Sequence, residues 1–162
     1  MAIRKPRMTF SQRLVEAQKI ARLLSHGHEA FEVYVDMHWD KNEYATKAMF
    51  ATKLIILAID MPLDENLDAN AMTQMIVTIG DLALKHHLMT INGAISIAKR
   101  LSRWLVNSIV PYSSVTMTAW LRHANTVSIT VSKLLARAKF AKSYNFLDKE
   151  AECKQIEALR EM

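Results

Sequence analysis

A chain of 162 residues with only three glycines and three prolines has few places where the backbone can reverse tightly. Sheet proteins use Gly and Pro at most of their hairpins. Their scarcity here, beside ten Met and abundant Ala and Leu, predicts helices joined by few turns.

Periodicity agrees. "TFSQ" at 9–12 fits a capping box, with Thr9 as N-cap and Gln12 at the third helical position. Leu14, Val15, Ala17, Ile20, Ala21, Leu23 and Leu24 then recur at helical spacing until "SHGH". "EAFEVYVDMHW" (29–39) predicts a second, short helix, although Val33, Tyr34 and Val35 would also suit a strand. "DKNE" at 40–43 has the pattern of another capping box, opening a helix to about Asp60 whose end, "LIILAI", is apolar all round and therefore buried. "DMPLDENLDAN" is a loop, and a helix starting near Asp68 or Asn70 places Met72, Met75, Ile76, Ile79 and Leu82 on one face. It ends near "KHH", where cations suit the negative end of the helix dipole. A helix from about Asn92 runs to Val110, before Pro111.

After "PYSS", Trp120, Ala124, Val127, Val131, Leu134, Ala138 and Ala141 recur at alternating spacings of four and three, the seam of one long helix. "TVSITVS" (126–132) also alternates with period two, as a strand would, but the four-three pattern continues on both sides of it. The expected fold is all-α: a single-domain bundle of six or seven helices over 9–147. A basic arm (1–8) precedes it and a short terminal helix (148–162) follows.

Hydrophobic residues make up 51% of the chain, enough for a sizeable core and too many for a disordered tail. The single cysteine, Cys153, has no intramolecular disulfide partner, which suits a reducing, cytoplasmic setting. "MAIRKPRMTFSQRL" lacks the apolar stretch of a signal peptide. The longest uninterrupted apolar run, Leu54 to Ile59, is far too short to span a bilayer.

The net charge of +5 hides a segregation. Residues 14–81 hold eleven acids against five bases, whereas residues 82–147 hold nine Lys/Arg and no Asp or Glu. Helical domains normally interleave both signs along exposed faces. These cations therefore pair across space with the acidic half or face an external polyanion.

Motifs for chemistry are weak by comparison. His26, His28, Glu32, Asp36 and His38 are close in sequence, and His28, Glu32 and Asp36 share a helix face, a legitimate transition-metal set. Their spacing matches no standard zinc motif, so no metal or other cofactor is assigned. His86 and His87 point to different helix faces and suit a helix terminus. "INGAISIAKR" lacks the second glycine and the Lys-Ser/Thr ending of a phosphate loop. Neither a GxSxG elbow nor a histidine near Cys153 supports nucleophilic catalysis.

The basic constellation is the better candidate. Lys99, Arg100 and Arg103 cluster on one helix, while Arg122, Lys133, Arg137, Lys139 and Lys142 decorate the long helix outside its seam. Trp104, Tyr112, Phe140 and Tyr144 lie among them, with Trp104 on an apolar face that favours the core. Arg4, Lys5 and Arg7 form an auxiliary arm. Lys and Arg neutralise phosphates without reading bases. The sequence thus predicts a non-enzymatic subunit of a nucleoprotein assembly that binds RNA or DNA by its backbone, largely independent of sequence. The alternative is a helical protein–protein adaptor or self-assembling subunit in which an acidic half docks on a basic one.

Overall fold

The computed structural model describes residues 8–62, 67–107 and 117–141, and at 105–107, 117–123 and 140–141 it describes the backbone alone. All of the regular structure in these residues is helical: α1 (Phe10–Ser25), α2 (His28–His38), α3 (Lys47–Asp60), α4 (Ala69–Leu84), α5 (Ile91–Asn107) and α6 (Met117–Ala141). None of these helices is long and apolar enough to cross a membrane.

Local chemistry sets most of the helix starts. The α1 capping box forms as its sequence implies. The Thr9 N–H donates to Gln12 Oε1 (2.8 Å), and the Gln12 N–H donates to Thr9 Oγ1 (3.2 Å). Asp68 caps α4 by accepting the Ala71 N–H at 2.8 Å, and Thr90 caps α5 by accepting the Gly93 N–H at 2.9 Å.

The third helix departs from expectation. It begins at Lys47, capped by Thr46, and "DKNE" folds as a turn. Asp40 Oδ1 accepts from Asn42, two residues on, and the Asp40 carbonyl accepts from both Glu43 and Tyr44. Trp39 Nε1 donates to the Tyr44 carbonyl (3.0 Å) and Lys47 pairs with Asp36 (2.7 Å), tying this loop back to α2. These contacts hold the Asp40 oxygen where it closes a turn rather than a helix.

In the packing order, α1 contacts α2, α3 and α4, α3 contacts α5, α5 contacts α6, and α6 returns to α4. The core between them takes Ile20 and Leu24 from α1, Phe31 from α2, Ile55 from α3, Met72, Met75, Ile76 and Ile79 from α4, and Ile97 and Leu101 from α5. From α6, Val127, Val131 and Leu134 of the seam join it, and Ala138 is buried beside them. Each large side chain so buried contributes about 1.5–3 kcal/mol. The period-two stretch 126–132 is helical because its two valines and Thr130 lie on the buried stripe.

Helices α3 and α5 meet closely at Thr52. Its hydroxyl donates to the Ala48 carbonyl (2.7 Å) and accepts the Thr90 N–H (2.9 Å). Gly93 lies against that side chain, where any Cβ would collide with Thr52 Cγ2. The two described helices that lie wholly in the acid-free half, α5 and α6, thus pack beside each other, α5 also against α3 and α6 against α4.

Candidate nucleic-acid interface

On α5, Ala94, Ile97, Ala98 and Leu101 face inward, which turns Asn92, Lys99 and Arg103 to solvent. Lys99 and Arg103 are one turn apart on this outer face, and neither makes an ion pair with another described residue.

Arg100 sits on the flank toward α3. Its Nε donates to both carboxylate oxygens of Asp60, at 2.9 and 3.1 Å, and its Nη1 donates to Ser96 Oγ. One cation of the basic half is thus answered by a carboxylate of the acidic half.

On α6, Lys133 is exposed and its stem runs beside Gly80 of α4. With Asn125, Ser128, Ile129 and Ser132 it lines a shallow open depression that contains no carboxylate. Lys139 is half-buried.

Arg137 points into the bundle. Its Nη1 donates to the Ala83 carbonyl and to His87 Nδ1 (2.9 Å), and its Nη2 donates to the Met89 carbonyl (2.8 Å). Burial draws its pKa below the usual guanidinium value. The guanidinium closes the end of α4 and the connection to α5, where unpaired carbonyls and the negative end of the helix dipole attract a cation.

Arg122 lies on α6 with its side chain outside the described set, and Lys142, Arg4, Lys5 and Arg7 lie outside the described residues, as do Tyr112 and Tyr144. Trp104 is half-buried, packed on the core with Ile59, Met75, Ile76 and Leu101 around it.

The histidines are rearranged relative to their order in the chain. His28 Nδ1 lies 3.4 Å from Glu32 Oε2, and His86 Nδ1 comes in from the end of α4 to 2.8 Å from Glu32 Oε1. The two imidazole rings stack at 4.2 Å between centroids. Asp36 turns away to Lys47, His38 stacks on Tyr34, and His26 caps the end of α1. Sequence spacing finds His28 and Glu32 together because they are one turn apart. Nothing local announces His86, fifty-four residues beyond Glu32.

Comparison with protein-family models, with curated proteins and with solved structures returned no match.

Proposed function

We propose that the α5–α6 side of the bundle binds the phosphate backbone of RNA or DNA, largely independent of sequence, within a nucleoprotein assembly. The observation carrying this reading is that α5 and α6, the described helices wholly within the acid-free half, are adjacent, with Lys99, Arg103 and Lys133 exposed and no carboxylate on either helix. Such a surface has a positive potential that attracts polyanions over a Debye length, about 8–10 Å in physiological salt.

Lys99, Arg103, Lys133, Lys139 and Lys142 are the proposed phosphate contacts, with Arg122 and the arm residues Arg4, Lys5 and Arg7 extending the surface. Arg100 and Arg137, bound to Asp60 and to backbone carbonyls, position the helices that present them.

Titration of labelled single-stranded RNA and duplex DNA of mixed sequence, at several salt concentrations, tests the reading. Five neutralised phosphates give a log–log slope of about −3.5 to −4.5. Joint reversal of Lys99, Arg103 and Lys133 to Glu is expected to abolish binding while the helical circular dichroism is kept. Absence of binding at low salt overturns the proposal.

The adaptor reading is supported by Val33 and Met37, one turn apart on α2 and 57% and 73% exposed. Salt-sensitive self-association without nucleic acid, reduced by Met37→Lys, would favour it.

A further inference from the structure

We infer that His28, Glu32 and His86 form a binding site for a divalent transition-metal ion, distinct from the basic side of the bundle. Two imidazole nitrogens and a carboxylate oxygen lie within 4.8 Å of one another. Two-histidine, one-carboxylate sets suit zinc, copper, nickel or cobalt, because imidazole is a borderline-soft donor. Hard ions such as magnesium and calcium favour oxygen donors throughout, so they are not the expected occupants.

Two separations, each to a different Glu32 oxygen, lie near a tetrahedral edge. The three ligand atoms together span up to 4.8 Å, so the side chains would close by up to about 1.2 Å around an ion. Bonds of about 2.0–2.2 Å in a tetrahedral site put neighbouring ligand atoms about 3.3–3.6 Å apart. His28 Nδ1 and Glu32 Oε2 are already at 3.4 Å. His86 Nδ1 and Glu32 Oε1, at 2.8 Å, form a hydrogen bond that the ion would replace by opening roughly half an ångström, to reach the same tetrahedral edge. Three protein ligands leave a fourth position for water or another donor. The side chains are about one-third exposed (36%, 29% and 30% for His28, Glu32 and His86), so the cluster is open to an ion from solvent.

The backbone around the cluster is fixed from both sides. Gly27, at φ 105°, turns the chain from α1 so that His28 opens α2. His87, the residue after His86, is the one non-glycine at positive φ (47°) among the described residues. The Leu88 N–H bonds back to the Leu82 carbonyl at 2.9 Å, and Arg137 holds Ala83, His87 and Met89. A strained residue held this firmly beside a ligand-type side chain fixes the direction in which His86 leaves the helix end. Metal ligands need that fixed direction.

The test is titration of the metal-stripped, nuclease-treated protein with cobalt(II), followed by visible absorption, then displacement by zinc(II) monitored with a chromophoric chelator. The expected result is one ion per chain, with low-coordinate cobalt bands that zinc abolishes. Glu32→Gln and His86→Ala should each weaken binding at least ~tenfold, a loss on the scale of removing groups around a metal. His26→Ala/His38→Ala should leave it unchanged. Circular dichroism of each variant separates loss of a ligand from loss of fold. The inference is overturned by absence of cobalt bands at millimolar metal, by binding that survives both Glu32→Gln and His86→Ala, or by binding that disappears in the His26/His38 variant instead. Nucleic-acid binding takes no part in these readouts, so failure of one proposal leaves the other standing.

Discussion

Replacing Arg137 by Met keeps an unbranched apolar stem and removes the guanidinium. In the folded chain that group makes hydrogen bonds to two backbone carbonyls, Ala83 and Met89, and to His87 Nδ1. Hydrogen bonds to charged groups contribute about 1.5–3 kcal/mol each, so the carbonyl pair contributes about 3–6 kcal/mol. Against this, Arg137 Nε is buried without a partner, a cost of about 1–3 kcal/mol. Taking low with low and high with high, the net loss on substitution is about 2–3 kcal/mol. For a domain of this size each kcal/mol shifts Tm by about 2–4 °C, so a fall of about 4–12 °C is expected. Urea unfolding, with the slope m compared between variants, measures the free energy directly. Arg137→Lys should fall between, because a single ammonium cannot span both carbonyls as the guanidinium fork does. Hydrogen exchange adds a local readout, since the Leu88 amide should exchange faster in the Met variant once the turn around His87 loosens. A Met variant within 0.5 kcal/mol of the parent would refute the assignment of Arg137 as an internal tie; here 0.5 kcal/mol is roughly the scatter of ordinary surface substitutions.

Gly93→Ala should destabilise despite alanine's advantage of about 1 kcal/mol in a helix, because its Cβ would collide with Thr52 Cγ2 and sit 2.6 Å from Thr90 Oγ1. Overpacking of this kind costs about 1–3 kcal/mol, and a double-mutant cycle with Thr52→Ser should recover part of it. Tyr34 donates to Glu16, and burial first, then that bond and the carboxylate's charge, raise the phenol's pKa. Above about pH 10 the unfolded chain releases this proton while the folded chain keeps it. Stability should therefore fall as pH rises beyond 10, with a shallower fall in Tyr34→Phe in matched urea melts. Asp60→Asn removes the carboxylate that holds Arg100. If the α5–α6 side binds phosphate, the freed guanidinium should steepen the salt slope by about 0.7–0.9, and an unchanged slope would place Arg100 away from the nucleic acid.

The features legible in the sequence are those whose partners lie within one turn. Thr9 and Gln12 meet at i, i+3, and the α6 seam repeats every three or four residues, so spacing alone identifies both. The start of α3 was not legible, although "DKNE" has the right letters, because Trp39 and Lys47 pull the segment back to α2 and leave Asp40 in a turn. Pairing between distant residues hid the details of the candidate sites in the same way. Arg100 and Arg103 look equivalent on a charge count, but only Arg100 faces Asp60, forty residues earlier. Arg137 resembles Lys133 until the end of α4 folds beneath it, and His86 joins Glu32 only through the packing of α2 on α4.

That difference between counted and available charge gives the binding proposal its sharpest consequence. Residues 99–142 offer seven cations apart from Arg122: Lys99, Arg100, Arg103, Lys133, Arg137, Lys139 and Lys142. If all seven contacted phosphate, the salt slope would be about −5 to −6. With Arg100 and Arg137 held internally, and Lys139 exchanging its present contact for phosphate, it falls to about −3.5 to −4.5. With Arg122, Arg4, Lys5 and Arg7 neutralised by substitution, a slope in the steeper range would mean that binding draws both arginines from their internal partners. Arg137 would then have to release Ala83 and Met89, so the complex should show faster exchange at Leu88 than the free protein. A slope in the shallower range with unchanged exchange means the surface acts as it is folded, with Asp60 and the Ala83 and Met89 carbonyls keeping two cations out of the interface.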